Sequence, residues 1–284
     1  TREYILKLGI IFLGIQLKPF EFLDFGKIAI PLIIICIISV LVVIKLLIRK
    51  LKIPTRMAYL ISIGSTVCGT TAIMATAPVI KANKSEVSYA IANITLFGIL
   101  SMLIYPYFAN IYFDGEPLLI GLFLGTSIHE TSQVAAAGLI YEQQYNSPET
   151  LNIATVTKLI RNTFLIIMIP LFAFLYNRGQ TKEKNYSILN IFPYFVLGFV
   201  GMIIIRNLGD EMFNSTSNWI ETIEIIKQSS KIFLTMAMAA IGLSTNLKDI
   251  KSMGYKPFIV GFIGMLTVGI VCIVTIESYL KFFI

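Results

Sequence analysis

Charged residues are scarce in this sequence. Asp, Glu, Lys and Arg make up only 14% of its 284 residues, whereas a soluble domain contains roughly 25%. The longest polar segments, residues 178–190 and 207–224, are loop-sized, so no soluble domain is expected. Cys36, Cys68 and Cys272 lie inside apolar runs, and their number and spacing exclude a disulfide framework and a cysteine metal site.

Apolar runs are abundant where charge is missing. Hydrophobic residues account for 56% of the chain, and runs of about 20 residues can cross the roughly 30 Å hydrocarbon core of a bilayer. The expected segments are a short run at Tyr4–Leu17, followed by spans at Ile28–Ile48, Glu86–Phe108, Glu149–Tyr176 and Phe192–Ile205. We predict an all-α polytopic membrane protein with one integral membrane domain over residues 1–284. Because the sequence starts without methionine, we expect N-terminal residues to precede it.

Positive charge is in excess but dispersed. The formal net charge is +7, and the lysines lie in short loops between apolar runs. This distribution is typical of the positive-inside topology of membrane proteins. It does not resemble the clustered basic surface of a nucleic-acid-binding protein. The expected environment is therefore the lipid bilayer of the cell membrane, crossed several times, with no nucleic-acid partner.

Two stretches of the chain repeat each other. Residues 64–75 align without a gap on residues 125–136, a displacement of 61. Both place glycine, serine and threonine in the middle of apolar sequence, a composition that interrupts a membrane helix. Lipid tolerates interrupted backbone only where protein buries it or where it lines a polar cavity. Paired, symmetry-related interruptions are the best sequence indication of the binding site of a secondary transporter.

The flanking charges predict how these segments enter the membrane. Half-helices of 8 to 10 residues reach about 12 to 15 Å, which fits either a broken crossing helix or a re-entrant hairpin. Basic residues flank the first segment on both sides, and only acidic residues flank the second. We therefore predict two hairpins that enter from opposite faces, within inverted repeats. The predicted core is 57–176, with interrupted helices at 57–80 and 117–141, between scaffold spans 4–48 and 225–284.

A weaker repeat relates the two ends of the chain. Gly14 corresponds to Gly242 and Gly26 to Gly254, and both pairs are displaced by 228 residues. Each pair belongs to an apolar run, a loop and a further span. We interpret the two ends as equivalent scaffold elements around the core.

Ionisable residues at membrane depth are the first functional candidates. His129 is the only histidine and adjoins Glu130 at the second interruption. Such groups are costly in a membrane, which favours a proton relay or a ligand contact, although a structural histidine that caps a broken helix is the alternative. Lys158 and Arg161 share a helix face, and Lys158 lies at a depth of about 13 Å if the span starts near Glu149. They either snorkel to the interface or face the interruptions, balance Glu130 and attract an anion.

The remaining candidates are polar groups near the two interruptions, where free amides at helix N-termini could hold an anion. The alternative is that the hydroxyls only satisfy their own helices. The predicted substrate-binding set is Ser65, Thr66, Gly69, Thr70, Thr126, Ser127, His129, Thr131, Gln133, Lys158, Arg161 and Asn246, with His129 and Glu130 as the ion-coupling pair. Cys68, which matches His129 in the alignment, is interpreted as a packing residue.

Four segments together resemble the YeiH-type family of membrane proteins, which is also named for sulfate export. They are residues 64–80, 127–138, 158–161 and 236–247, in that order. The resemblance extends from about Leu6 to the end of the chain. It implies inverted repeats of the kind found in cation/proton antiporters and anion transporters, and one or two further N-terminal helices. The chain has Glu130 where the family usually has Asp, and Ser132 where it usually has Ala.

These observations favour a secondary active transporter of a small anion that works by alternating access. Sulfate, sulfite and organosulfonates are the substrates that the resemblance suggests. An anion channel is the alternative, and a membrane-embedded hydrolase is a further one, because Cys68 or Ser127 could be drawn as a nucleophile beside His129. We expect no enzymatic activity and no cofactor, a coupling ion that is H⁺ or Na⁺, and a homodimer.

Overall fold

The computed structural model describes residues 2–16, 23–180, 195–213, 216–243, 248 and 254–280. Its helices are α1 (Arg2–Leu13), α2 (Leu23–Leu51), α3 (Thr55–Thr66), α4 (Thr70–Thr76), α5 (Lys84–Tyr112), α6 (Pro117–Ser127), α7 (Thr131–Tyr145), α8 (Pro148–Thr163), α9 (Leu165–Gln180), α10 (Phe195–Phe213), α11 (Ser217–Leu243) and α12 (Lys256–Thr275). A short 3₁₀ helix, Gly14–Gln16, follows α1, and a short π-helix, Ile276–Leu280, follows α12. These residues contain no β-strand.

Local sequence accounts for several helix ends. Asn83 and Glu86 form a reciprocal capping box at the start of α5, each side chain accepting the other's backbone N–H at 2.8 Å. Proline occupies the first turn of α6, α8 and α12, where its missing N–H leaves no helical bond unmade. Arg49 and Lys50 lie in the last turn of α2, where cations complement the helix dipole.

Within the described residues, four helical segments are long and apolar enough to cross a membrane. They are Gly26–Leu51, Lys84–Tyr112, Pro148–Tyr176 and Lys256–Ser278. The first three confirm expected spans. The fold is therefore that of an all-α polytopic membrane protein. Of the expected Phe192–Ile205 span, the described part belongs to α10, and residues 192–194 lie outside the described residues.

The third of these segments is not one continuous helix. A turn at Phe164 separates α8 from α9. The hydroxyl of Thr163 donates to the carbonyl of Ile160 at 2.7 Å, a local bond that competes with the helical pattern. The sequence predicts a single span, Glu149–Tyr176, across this turn.

The helices of the two repeated stretches end and begin at equivalent positions. α3 ends at Thr66 and α4 begins at Thr70, while α6 ends at Ser127 and α7 begins at Thr131. Both boundaries are displaced by the 61 residues of the alignment. Three residues stand between the helices in each case, 67–69 and 128–130, which we call the first and second junction segments. The crossing or re-entrant course of each pair stays a prediction.

The packing joins the ends of the chain in pairs. α2 packs along α12, and α1 packs against α11 and α10. This is the pairing expected if a pseudo-two-fold axis relates the two ends, because equivalent elements then meet across it. α8 packs on both α6 and α7, while α3 contacts α2, α5 and α12. α8 is therefore the helix that brings charged side chains to the interior.

Candidate functional site

Lys158 connects the two junction segments. Its ammonium group donates to the carbonyl of Val67 at 3.0 Å, to that of Ile128 at 2.8 Å and to that of His129. These bonds use all three donors of the group. The side chain is fully buried. The junction segments, which are about 60 residues apart in sequence, therefore lie side by side around one buried cation.

Arg161 lies one helical turn further along α8 and makes the same connection. Its Nε donates to Thr66 O at 3.0 Å and its Nη2 to Ser65 O at 2.6 Å. Its Nη1 donates to the carbonyl of Thr126 and, at 3.4 Å, to that of Ile128. The rigid guanidinium fork can bond several acceptors at once, whereas an ammonium is a point charge.

The carbonyls held by these two cations belong to the C-terminal ends of α3 and α6. The last carbonyls of a helix have no intrahelical partner and carry the negative end of its dipole. In a membrane interior, such groups would be costly without donors. Lys158 and Arg161 supply those donors to both helices. Both side chains are at most 1% exposed, so neither snorkels to an interface in this structure.

This arrangement differs from one in which the cations balance Glu130. No ion pair joins Glu130 to Lys158 or Arg161 among the described residues, and the hydrogen bonds of both cations go to backbone oxygens. Sequence reasoning placed the pair correctly at the interruptions. It missed these partners because unpaired carbonyls leave no mark in the identity of the side chains.

His129 is buried at the same place with an unsatisfied ring. Its carbonyl accepts from Lys158, but Nδ1 and Nε2 have no hydrogen-bond partner in the described part of the chain. A neutral imidazole presents one donor and one acceptor, and burying either without a partner is unfavourable. The ring therefore does not cap a broken helix. A buried polar group left unpaired in this way is a candidate contact for a ligand, a proton or an ordered water.

Glu130 extends from the second junction segment to the first. It is the N-cap residue of α7, and its Oε1 accepts from the hydroxyl of Thr95 on α5 at 3.2 Å. Its side chain also lies against Gly69, the N-cap residue of α4. A Cβ atom at Gly69 would approach Glu130 Cγ to 2.6 Å, and Gly69 has φ +64°. Glycine is therefore required there both for its backbone conformation and for space.

Three of the six hydroxyls of the predicted set bond within their own helix or to a neighbour. Thr66 Oγ1 donates to Ser62 O at 2.9 Å, and Ser127 Oγ donates to Phe123 O at 2.6 Å. Ser65 Oγ and Thr126 Oγ1, in contrast, are buried without a partner among the described residues. For Thr66 and Ser127, the local interpretation thus accounts for the hydroxyl.

The remaining predicted residues surround the same junction. Thr70 and Thr126 are buried there. Thr131 is the first residue of α7, and its hydroxyl accepts from Asn162 Nδ2 at 3.1 Å. Asn246 lies outside the described residues.

Gln133 is tied to α5 by a close approach. Its Nε2 donates to Thr95 O at 3.2 Å, while its buried Oε1 has no partner in the described part of the chain. A Cβ at Gly98 would lie 2.0 Å from that oxygen. Sequence reasoning missed Thr95 and Gly98 because they belong to an ordinary span. It also missed Asn162, although its position next to Arg161 was a usable signal.

The site contains no obvious metal centre. The described residues include no group of three or more His, Cys, Asp or Glu side chains arranged to hold a metal ion.

Comparison with known proteins assigns the chain to a family. The family described as Conserved hypothetical protein 698 matches residues 1–261. A UPF0324 membrane protein of Fusobacterium nucleatum is 35% identical over 95% of this chain and 80% of its own length. The chain belongs to this family. The UPF0324 assignment confirms the YeiH-type resemblance that the sequence motifs suggested.

Other UPF0324 members are similarly related. A membrane protein of Streptococcus agalactiae serotype V is 37% identical over 92% of the chain and 76% of its own length, and one of Clostridium tetani is 32% identical over 95% and 79%. Their names describe membrane proteins and specify no substrate. No solved structure matches the chain. The UPF0324 chain is therefore a membrane protein.

Proposed function

We propose that this UPF0324 protein is a secondary active transporter that moves a small anion across the cell membrane by alternating access. One observation carries the proposal: two equivalent helix junctions meet at a buried, partly unsatisfied polar site around Lys158 and Arg161. Transporters built from repeats bind substrate at discontinuous helices near the bilayer midplane, at the interface between the repeats. The proposed substrates are sulfate, sulfite or an organosulfonate.

The anion site that we propose lies at the N-terminus of α7. Val134 is the first residue whose amide bonds back into this turn, donating to Glu130 O at 2.9 Å. The amides before it are the ordinary orphan donors of a helix start, which attract anions together with the helix dipole. The unpartnered ring of His129 and the hydroxyl of Ser65 would add further contacts. Lys158 and Arg161 contribute positive charge to the site, while their hydrogen bonds go to backbone carbonyls.

Glu130 would act as a competitor for this site. Glu130 is the N-cap residue of α7, its side chain makes no capping hydrogen bond there, and its carboxylate lies against the start of α4, so its charge is close to where an anion would be favoured. An ionised Glu130 would repel an anion from this position, and a neutral Glu130 would not. Anion binding would thereby be linked to proton binding, with H⁺ as the coupling ion.

A channel or a hydrolase fits these features less well. Channel filters are commonly assembled from several subunits, whereas here two equivalent junctions share one chain. For hydrolysis, a nucleophile must reach its base, but the ring nitrogens of His129 have no partner among the residues that the structure describes, and Ser127 donates to its own helix. We therefore propose that the protein is not an enzyme.

Flux into proteoliposomes tests the proposal. Purified protein would be reconstituted and supplied with labelled sulfate, sulfite or a sulfonate, with and without a pH gradient. We expect saturable uptake that accumulates anion when a gradient is present. Accumulation that follows only the membrane potential would favour a channel instead. Turnover of an ester or amide by detergent-solubilised protein, where no gradient exists, would favour the hydrolase.

We also propose that the protein functions as a homodimer whose scaffold helices form the contact, so that the core can move against a fixed frame. Cross-linking in native membranes tests this arrangement. Only monomer after cross-linking at several exposed scaffold positions would contradict it.

A further inference from the structure

A surface cleft lies between α2, α3 and α9, away from the site around Lys158. Its volume is about 610 Å³, within the range of small-molecule pockets. The walls are mostly apolar, and they include Ile38 of α2 and Phe172 and Leu175 of α9. Ile38 is 55% exposed although it lies in a candidate span, so the cleft opens toward the lipid.

The charged groups of the cleft lie at one end. Lys45 and Arg49 line it near the C-terminus of α2, and Thr55 lines it at the first position of α3. Both cations are exposed, and no acidic residue lines the cleft within the described part of the chain. The start of α3 adds the positive end of a helix dipole to the same end of the cleft.

The length of the cleft corresponds to one leaflet. On α2 it extends from Arg49 to Ile38, which is about 16 Å at 1.5 Å per residue. That is about half of the roughly 30 Å hydrocarbon core. A helix from a partner protein would contact the full thickness of the membrane. A lipid, with a charged head at the interface and a chain that ends near the midplane, matches both the depth and the one-sided charge.

We propose that this cleft binds an anionic phospholipid. The phosphate would contact Lys45 and Arg49, and one acyl chain would lie along Ile38 and Phe172. Basic pockets between membrane helices bind acidic lipid head groups in this way, and the positive-inside rule places this end of α2 on the cytoplasmic side. Tyr59, edge-on to Phe172 at 5.4 Å between ring centroids, gives the cleft a preformed inner wall.

A lipid in this position would bridge separate parts of the fold. α2 belongs to the predicted scaffold, whereas α3 and α9 belong to the predicted core. The opposite end of α3 carries Ser65 and Thr66, whose carbonyls Arg161 holds. The bound lipid would therefore stabilise one arrangement of α2 relative to α3.

Lipid binding by the purified full chain in detergent tests the proposal. Phosphatidylglycerol and phosphatidylcholine would be titrated and the bound molecules counted by native mass spectrometry, with thermal stabilisation as a second readout. We expect saturable binding of phosphatidylglycerol only. The double variant Lys45→Gln and Arg49→Gln should weaken it roughly thirty-fold, the effect expected from two basic residues near an anionic surface. The matched control, Lys50→Gln and Lys52→Gln, removes two exposed charges outside the cleft and should leave binding unchanged.

A second pair of variants tests the apolar part without changing charge. Val42→Trp adds bulk inside the cleft, and Leu46→Trp adds the same bulk at an exposed position of α2 outside it. Only Val42→Trp should weaken phosphatidylglycerol binding. The proposal is overturned if the two double charge variants bind phosphatidylglycerol equally, or if phosphatidylcholine binds as tightly. It is also overturned if cross-linking from Ile38→Cys captures a second copy of the chain in the cleft.

Discussion

At the scale of single residues, the buried site separates groups with complete hydrogen bonding from groups without it. Lys158 and Arg161 have carbonyl partners at their donor atoms. His129 lies beside them with both ring nitrogens unpaired in the described part of the chain. Removing a satisfied cation should therefore harm folding, whereas removing an unsatisfied ring should harm only a function that uses it.

Replacement of His129 by phenylalanine distinguishes these roles. His129→Phe keeps a planar ring of similar size and removes two buried polar atoms without partners. We expect a melting temperature that is unchanged or raised, since an unsatisfied buried polar group costs roughly 1–3 kcal/mol. Anion uptake should be lost. A destabilised variant that still transports would show that the ring is structural.

Replacement of Arg161 by lysine should lower the melting temperature, in contrast to the replacement of His129. Arg161→Lys keeps the charge but cannot reach the carbonyls of Ser65, Thr66 and Thr126 together. At least one buried carbonyl should lose its donor, at a cost of roughly 1–3 kcal/mol, and the melting temperature in detergent should fall by several degrees. The control Arg206→Lys affects a single ion pair with Asp210 at 2.9 Å and should change little. Equal effects of the two substitutions would contradict a specific role of Arg161 in holding the carbonyls of α3 and α6.

Glu130→Gln tests the competition between the carboxylate and the substrate. In the wild type, the negative charge of Glu130 should compete with the anion near the starts of α7 and α4. Glutamine resembles the protonated acid, so the variant should bind tightly and independently of pH. The control Glu142→Gln removes a charge from the far end of the same helix. A variant with the pH dependence of the wild type would exclude Glu130 as the coupling group.

At the scale of secondary-structure elements, the junction segments depend on close approach as much as on hydrogen bonds. Gly69 makes room for Glu130, and Gly98 makes room for Gln133. Each glycine lies on a different element from the side chain that it accommodates. α4, α5 and α7 are thus fitted to one another around the polar site, and a single added methyl group should disturb them.

Gly69→Ala is the sharpest test of this fit. Its Cβ would lie 2.6 Å from Glu130 Cγ, at a φ of +64° that is unfavourable for alanine. We expect lower stability and weaker anion uptake, because Glu130 has to move. Gly201→Ala serves as the control, since its Cβ would meet nothing within 4 Å. That helical substitution should stabilise slightly, by roughly 0.5–1 kcal/mol. Similar losses in both variants would argue against a specific contact.

At the scale of the whole molecule, the two junctions require a particular topology if the repeats are inverted. Lys84 should then be cytoplasmic and Glu116 external, and both residues are exposed. On a background without cysteine, an impermeant maleimide should label Glu116→Cys in intact cells and Lys84→Cys only after permeabilisation. Labelling of Lys84→Cys from outside would exclude the two opposed hairpins.

Local sequence composition determined where candidate membrane spans lie and where α3 and α6 end. The apolar runs predicted three of the four candidate spans of the described residues with their bounds, and the fourth lies within the expected scaffold spans 225–284, because a bilayer imposes a minimum length of apolar helix. The glycine, serine and threonine clusters marked where α3 and α6 end, because such residues favour helix ends over helix interiors. The 61-residue displacement also predicted that the two interruptions are equivalent, and their boundaries coincide in the structure.

Only the tertiary structure decided what surrounds those helix ends. Lys158 is 91 residues from Val67, and Arg161 is 96 residues from Ser65. Their partners are backbone carbonyls, which every residue has and which no sequence pattern distinguishes. The same holds for Thr95 and Gly98, ordinary residues of α5 that acquire a role because α7 packs against them. Sequence marks where a helix stops, but the donor that satisfies the exposed carbonyls comes from wherever the fold brings one, because lipid offers none.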